Sequence, residues 1–217
     1  MPKNQLEMRT YNVALESRDG DKDSKTGVIT GKPIVLKSRT DIGWFDEILE
    51  PGCLDETDLN DVRFCLNHDT SFVYARSRRN NPNSTMQLQV DPTGLGIRAE
   101  LDLNSPKAMD LYTAISRGDI DKMSFMFSVD ADEWEDLEKE HPFRHITKIG
   151  SVVEVSAVTF PAYEETSVQI DERSKDTLER ARKALESARA QSESAPEGED
   201  TKRQLELEKA KLLLLRR

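Results

Sequence analysis

Apolar residues recur at every second position through most of the stretch from Met8 to Ile170, with turn-forming residues between the runs. A period of two puts alternate side chains on opposite faces, so the pattern predicts half-buried strands. They fall at 8–15, 29–36, 44–49, 62–66, 86–90, 95–103, 123–129 and 152–159. Asp91-Pro92-Thr93-Gly94 reads as a hairpin connection between two of them, with proline presetting φ and glycine tolerating a positive φ. The expected architecture is an antiparallel β domain interrupted by one helix. Ser105 supplies the N-cap of that helix and Pro106 its first position. Ala108, Leu111, Tyr112 and Ile115 form an apolar stripe, and Gly118 provides the stop. The acidic stretch 130–141 breaks the alternation and is expected to be an exposed excursion between two core strands, compatible with a helical turn.

After Ile170 the pattern changes abruptly. Glu172 to Arg217 contains no aromatic residue, and two helix-prone segments, 174–190 and 201–217, flank a Ser/Pro/Gly/Glu linker at 191–200. The chain therefore divides into a β domain, 1–171, and a charged helical or flexible tail, 172–217. A solvated helix is the ordinary reading of such a tail. Leu205 and the run Leu212 to Leu215 make its second half the better docking element.

Composition narrows the function. An apolar content of 36% over 217 residues suits one ordinary domain plus a solvated appendage. The tail holds 12 basic and 10 acidic residues against 19 and 31 in the rest, so the β domain carries −12 and the tail +2 of the formal −10 charge. That balance argues against a nucleic-acid binder, whose affinity comes from neutralising phosphates. Cys53 and Cys65 have neither CxxC spacing nor a companion histidine pattern, so free thiols are expected and a structural zinc is not. With no apolar stretch able to cross a bilayer and no leader-like start, a soluble intracellular protein without membrane contact is expected.

Candidate chemistry sits at three loci: Asn67-His68-Asp69, Lys122-Met123-Ser124-Phe125, and Val153-Glu154-Val155-Ser156. In an extended strand Ser124, Met126 and Ser128 share one face while Phe125, Phe127 and Val129 share the other, so the aromatic face is core and Ser124 lies opposite it. A serine hydroxyl needs an adjacent base, most often imidazole. Of three histidines His68 is the best placed, because it ends the apolar run Val62, Phe64, Leu66, whereas His141 and His145 fall in or just after the charged stretch. Glu154 can orient the imidazole, and the alternation puts it with Ser156 on the less apolar side of its strand, opposite Val153, Val155 and Ala157. Asp69 is a weaker carboxylate candidate and Ser156 the second candidate nucleophile. Taken singly, each has a bland reading as a strand serine or a structural histidine. GxSxG, HExxH and phosphate-cradling motifs are absent from the sequence.

Taken together, the pieces resemble the prohead maturation proteases of HK97-like tailed bacteriophages. The resemblance rests on Gly43-Trp44-Phe45-Asp46-Glu47-Ile48 with Pro51-Gly52, the Asn-His-Asp after 62–66, Ile115-Ser116-Arg117-Gly118-Asp119-Ile120 leading to Met123-Ser124-Phe125, and Glu154-Val155-Ser156-Ala157-Val158-Thr159 with Pro161-Ala162-Tyr163. It implies a serine endopeptidase with no cofactor and an assemblin-like fold, a β-barrel ringed by helices. By that likeness His68 is the base and Ser124 the nucleophile, and Glu154 stands where herpesvirus assemblins use a second histidine. The family cleaves the scaffold part of the major capsid protein, or a separate scaffold, inside the immature capsid, and commonly cleaves itself. Related assemblins are dimers, so a homodimer is expected. Two other readings compete: a non-catalytic capsid assembly or scaffolding protein, and a metal-assisted hydrolase built on His68, Asp69 and Glu154.

Overall fold

The computed structural model describes residues 6–11, 15–18, 25–159 and 172–194. Among these, eleven strands and two helices form an α+β arrangement: β1 Leu6–Tyr11, β2 Glu16–Arg18, β3 Thr26–Val35, β4 Thr40–Asp41, β5 Asp46–Leu49, β6 Asp61–Leu66, β7 Ala75–Arg78, β8 Met86–Asp91, β9 Gly94–Asp102, α1 Pro106–Ser116, β10 Lys122–Glu135, β11 Phe143–Val158 and α2 Glu172–Ser194. The chain separates into two compact units, Met1–Lys175 and Asp176–Arg217. No helix of the described residues is long and apolar enough to cross a membrane.

In the first unit the strands make a seven-stranded and a four-stranded sheet. The larger runs β1-β10-β11-β5-β4, with β6 also paired to β11 and β7 to β6; the smaller runs β2-β3-β9-β8. The expectation of a purely antiparallel domain is corrected here, because β5 and β6 both pair with β11 in parallel. Strands that lie far apart in the chain have connections long enough to enter a sheet in the same direction, whereas hairpin neighbours must run antiparallel. The pairings of the described strands do not close into one ring. The edge strand β7 does meet the start of β8, where Thr85 Oγ1 and Ser84 Oγ accept the backbone N–H groups of Arg76 and Arg78 at 2.9 and 3.0 Å.

The stretch 130–141 is exposed between two core strands, as expected, but much of it is itself strand. Its exposed first half extends β10 to Glu135, and β11 begins at Phe143, so the two core strands continue outward as a long hairpin. Trp134 anchors this extension edge-on against Phe45, with ring centroids 4.9 Å apart. The N-terminal strand lies at Leu6–Tyr11, with residues 12–14 of the expected 8–15 outside the described residues. The tail segment expected at 174–190 is α2, while 201–217 also lies outside them.

The core forms between the two sheets. Phe125, Phe127, Val152, Val155 and Phe64 come from the larger sheet, and Ile29, Met86, Ile97, Ala99 and Leu101 from the smaller, all buried. Each such large side chain contributes about 1.5–3 kcal/mol by leaving water. A register shift between Met126/Phe127 pairs Met126 with Glu154 but Phe127 with Val152, leaving Val153 as the extra residue of a bulge. Val152 rather than Val153 therefore faces the core, because a bulge reverses the alternation beyond it.

Helix α1 buries Ala108, Leu111 and Ile115 and packs on β2 and β9. Pro106 stands in its first turn, while Ser105 occupies the N-cap in an extended conformation without a side-chain capping bond. Gly118, at φ +77°, ends it by donating its N–H to the Ile115 carbonyl at 3.0 Å. Leaving this helix, the chain enters β10 two residues before Ser124.

Candidate active site

The second half of β11 lies between β10 and β6, and this triplet carries all three loci. Ser124 of β10 stands opposite Ser156 of β11, which stands opposite Cys65 of β6. Opposed residues share a face, with Cβ atoms typically about 4.5–5.5 Å apart. Two residues before Ser156, Glu154 projects to the same side. This is the face away from the aromatic core, yet Ser124, Glu154 and Ser156 are all buried.

Beyond β6 the chain turns sharply through Asn67 and His68, both left-handed at φ +51° and +61°. That region costs a side-chain-bearing residue roughly 1–2 kcal/mol, and the turn is tied down by three sets of bonds. Asn67 N–H donates to the Ala157 carbonyl at 2.9 Å, and Asn67 Oδ1 accepts from Thr159 N–H at 3.0 Å and Thr159 Oγ1 at 3.2 Å. His68 N–H donates to Ser156 Oγ at 3.0 Å.

So held, the His68 ring sits with Nδ1 2.7 Å from Glu154 Oε2, and the imidazole is 21% exposed against 2% for the carboxylate. The other oxygen, Oε1, accepts the Ser156 hydroxyl. An acceptor at Nδ1 holds the proton there and leaves Nε2 free to take one. The structure thus brings His68 and Glu154 together. Ser124 lies on the adjacent strand but is not bonded to the ring: its Oγ donates to the Arg9 carbonyl of β1 at 2.8 Å.

Asp69 is turned away, capping its own loop by accepting Ser71 N–H at 2.9 Å. The Ser71 hydrogen bonds hold its carboxyl below the usual range. Among the described residues the three-ligand grouping of suitable donor atoms is Asp41, Asp46 and His141, on the β4–β5 side, so His68, Asp69 and Glu154 do not converge as a metal site. Cys65 is buried beside the pair; burial first, and then the charge of Glu154, push its thiol up to about 12. It therefore remains protonated and unreactive at neutral pH.

A histidine–carboxylate pair alone does not mark this site. His145 Nδ1 also lies 2.7 Å from Glu50 Oε1, but its strand neighbours in register are Glu133 and Ile48. Of these two pairs, that of His68 is the one with two serines on its face. Sequence reasoning missed the brace made by Ser156 and the turn made by Asn67. The one available signal was the asparagine before His68, a residue that tolerates the left-handed region.

Next to the turn, a groove of about 550 Å³ opens between the segment after β6 and α1. Leu66, Phe72, Leu111, Ala114 and Ile120 supply apolar walls, and Asn67 and Asp69, the neighbours of His68, also line it.

Comparison with known proteins adds one match: a family model described as caudovirus prohead serine protease covers residues 12–181. No curated protein and no solved structure matches the chain.

Proposed function

The chain belongs to the caudovirus prohead serine protease family, capsid-maturation proteases, and on that premise we propose an endopeptidase in which Ser124 attacks, His68 moves the proton and Glu154 orients His68. The observation that carries this reading is the 2.7 Å Glu154–His68 contact on the strand adjoining Ser124, on the face that Ser124 shares. Attack requires the Ser124 side chain to leave its bond to the Arg9 carbonyl and present Oγ to Nε2. As Oγ bonds to the scissile carbonyl carbon, its proton passes to Nε2, and the imidazolium is stabilised through Nδ1 by Glu154. Collapse breaks the C–N bond, and the leaving amine takes that proton. Water then repeats the sequence on the acyl-enzyme and regenerates Ser124.

The substrate in this reading is the scaffold part of the major capsid protein, or a separate scaffold, inside the immature capsid. The apolar groove beside His68 receives a substrate side chain. Residues 1–171 form the protease, and 172–217 associate with scaffold and are themselves cut, since a polar linker enters a protease cleft readily as an extended strand. The two sheets, meeting at β7 and β8, are read as an assemblin-like barrel acting as a homodimer.

The test is incubation of wild type and Ser124→Ala with the cognate capsid subunit, read by fragment masses. Wild type is expected to release the scaffold segment and its own tail, and the folded variant neither. Equal cleavage by Ser124→Ala would remove this serine from the chemistry, and absence of cleavage by both would favour a scaffolding role.

A further inference from the structure

We propose that Ser156 is a positioning residue that braces both members of the histidine–glutamate pair, and that it is not a nucleophile; this rests on the protease reading above. A hydroxyl has one proton and two lone pairs. At Ser156, a residue as fully buried as Ser124, the proton goes to Glu154 Oε1, and a lone pair receives His68 N–H at 3.0 Å. Both bonds of this hydroxyl thus run to the pair itself, whereas the Ser124 hydroxyl bonds to the Arg9 carbonyl, outside the pair.

Both bonds act on the pair. The terminal torsion of a glutamate is broad, so a carboxylate held only at Oε2 can swing, whereas a donor on Oε1 keeps Oε2 aimed at Nδ1. The second bond gives a partner to a backbone N–H in a left-handed turn, a conformation that is costly for histidine. One buried side chain on β11 therefore sets where the imidazole sits and which way the carboxylate points. Because Ser156 stands opposite Ser124 in register, it also places the pair one strand away from the nucleophile.

The experiment uses the full chain and two readouts. One is the rate at which a fluorophosphonate labels the protein, with the adduct located by peptide mapping. The other is the His68 Nδ1–H proton signal by NMR. Ser156→Ala is expected to label at Ser124 some 10–100-fold more slowly, as loss of an orienting partner does, and to weaken or lose the Nδ1–H signal. Ser156→Thr, which keeps the hydroxyl, is expected to recover much of the rate. If the alanine protein does not fold, Ser156→Cys, close in volume and a poor donor, carries the same expectation. An adduct on Ser156 in wild type overturns the proposal, as does a wild-type labelling rate in Ser156→Ala, or an undiminished Nδ1–H signal there. Capsid cleavage surviving in Ser124→Ala, by contrast, removes Ser124 as the nucleophile, and absence of cleavage by wild type sinks the underlying protease reading.

Discussion

Glu154 is 2% exposed and bonded through both oxygens, one to an imidazole and one to a hydroxyl. Its charge, and not merely its shape, matters to the proposed chemistry, because the imidazolium forms only while the proton is in transit. Glu154→Gln preserves the volume but can present an amide N–H to Nδ1, favouring the wrong tautomer. We expect kcat to fall about 10³–10⁴-fold with KM little changed, measured by steady-state kinetics on a peptide spanning the scaffold junction. A drop of less than tenfold would mean that the glutamate is structural.

At the level of elements, two contacts decide how strands and helix frame the site. Gly94, at φ +145°, lies where β9 meets β3; a Cβ there would stand 1.8 Å from the Ile34 carbonyl oxygen. The glycine of the 91–94 turn is thus required by the close approach of a second strand as well as by its φ. Gly94→Ala is expected to lower stability by about 2–4 kcal/mol, seen as a reduced denaturant midpoint, and an unchanged midpoint would show that the sheet gives way easily. The other contact is the groove wall on α1. Ala114→Trp would fill the space beside Asn67 and Asp69. If a substrate side chain occupies it, KM rises about tenfold while fluorophosphonate labelling of Ser124 stays near wild type, since loss of a good apolar contact is worth roughly 1–3 kcal/mol.

Across the whole fold, a buried ion network ties β1, β5, β10 and β11 together. Arg9 reaches Glu47 at 2.6 Å, and Arg144 reaches Glu47, Glu7 and Asp132 at 2.9, 2.8 and 2.7 Å. Burial pulls the Glu7 carboxyl upward, but Arg9 and Arg144 together outweigh it and lower it from 4.5 to about 2. A carboxyl depressed in the folded state stabilises above its unfolded value and loses that stabilisation as pH falls through the folded one. The contribution, on the order of 3 kcal/mol, is thus complete above about pH 4.5 and gone near pH 2. Denaturant midpoints should show Glu7→Gln well below wild type at pH 7, with the gap closing between pH 4.5 and 2; a gap constant with pH would mean that Glu7 stabilises by packing alone. The same network holds β1 against β10, and β1 carries the carbonyl that receives the Ser124 hydroxyl.

Local signals were enough for much of this. The alternation around Phe125 and Phe127 placed Ser124 on the face away from the core, Pro106 and Gly118 bounded α1, and the pairing of Glu154 with Ser156 on one face followed from period two, because each depends only on backbone geometry within a few residues. What the chain could not announce were relations between distant segments. The parallel entry of β5 and β6 beside β11 depends on long-range pairing, and the bulge at Val153 depends on how β11 meets β10. The bonds that make Ser156 a brace, and turn the Ser124 hydroxyl to Arg9, exist only once β1, β6, β10 and β11 lie side by side. A hydrogen bond is set by distance and direction to within a few tenths of an ångström, and only the assembled sheet supplies that.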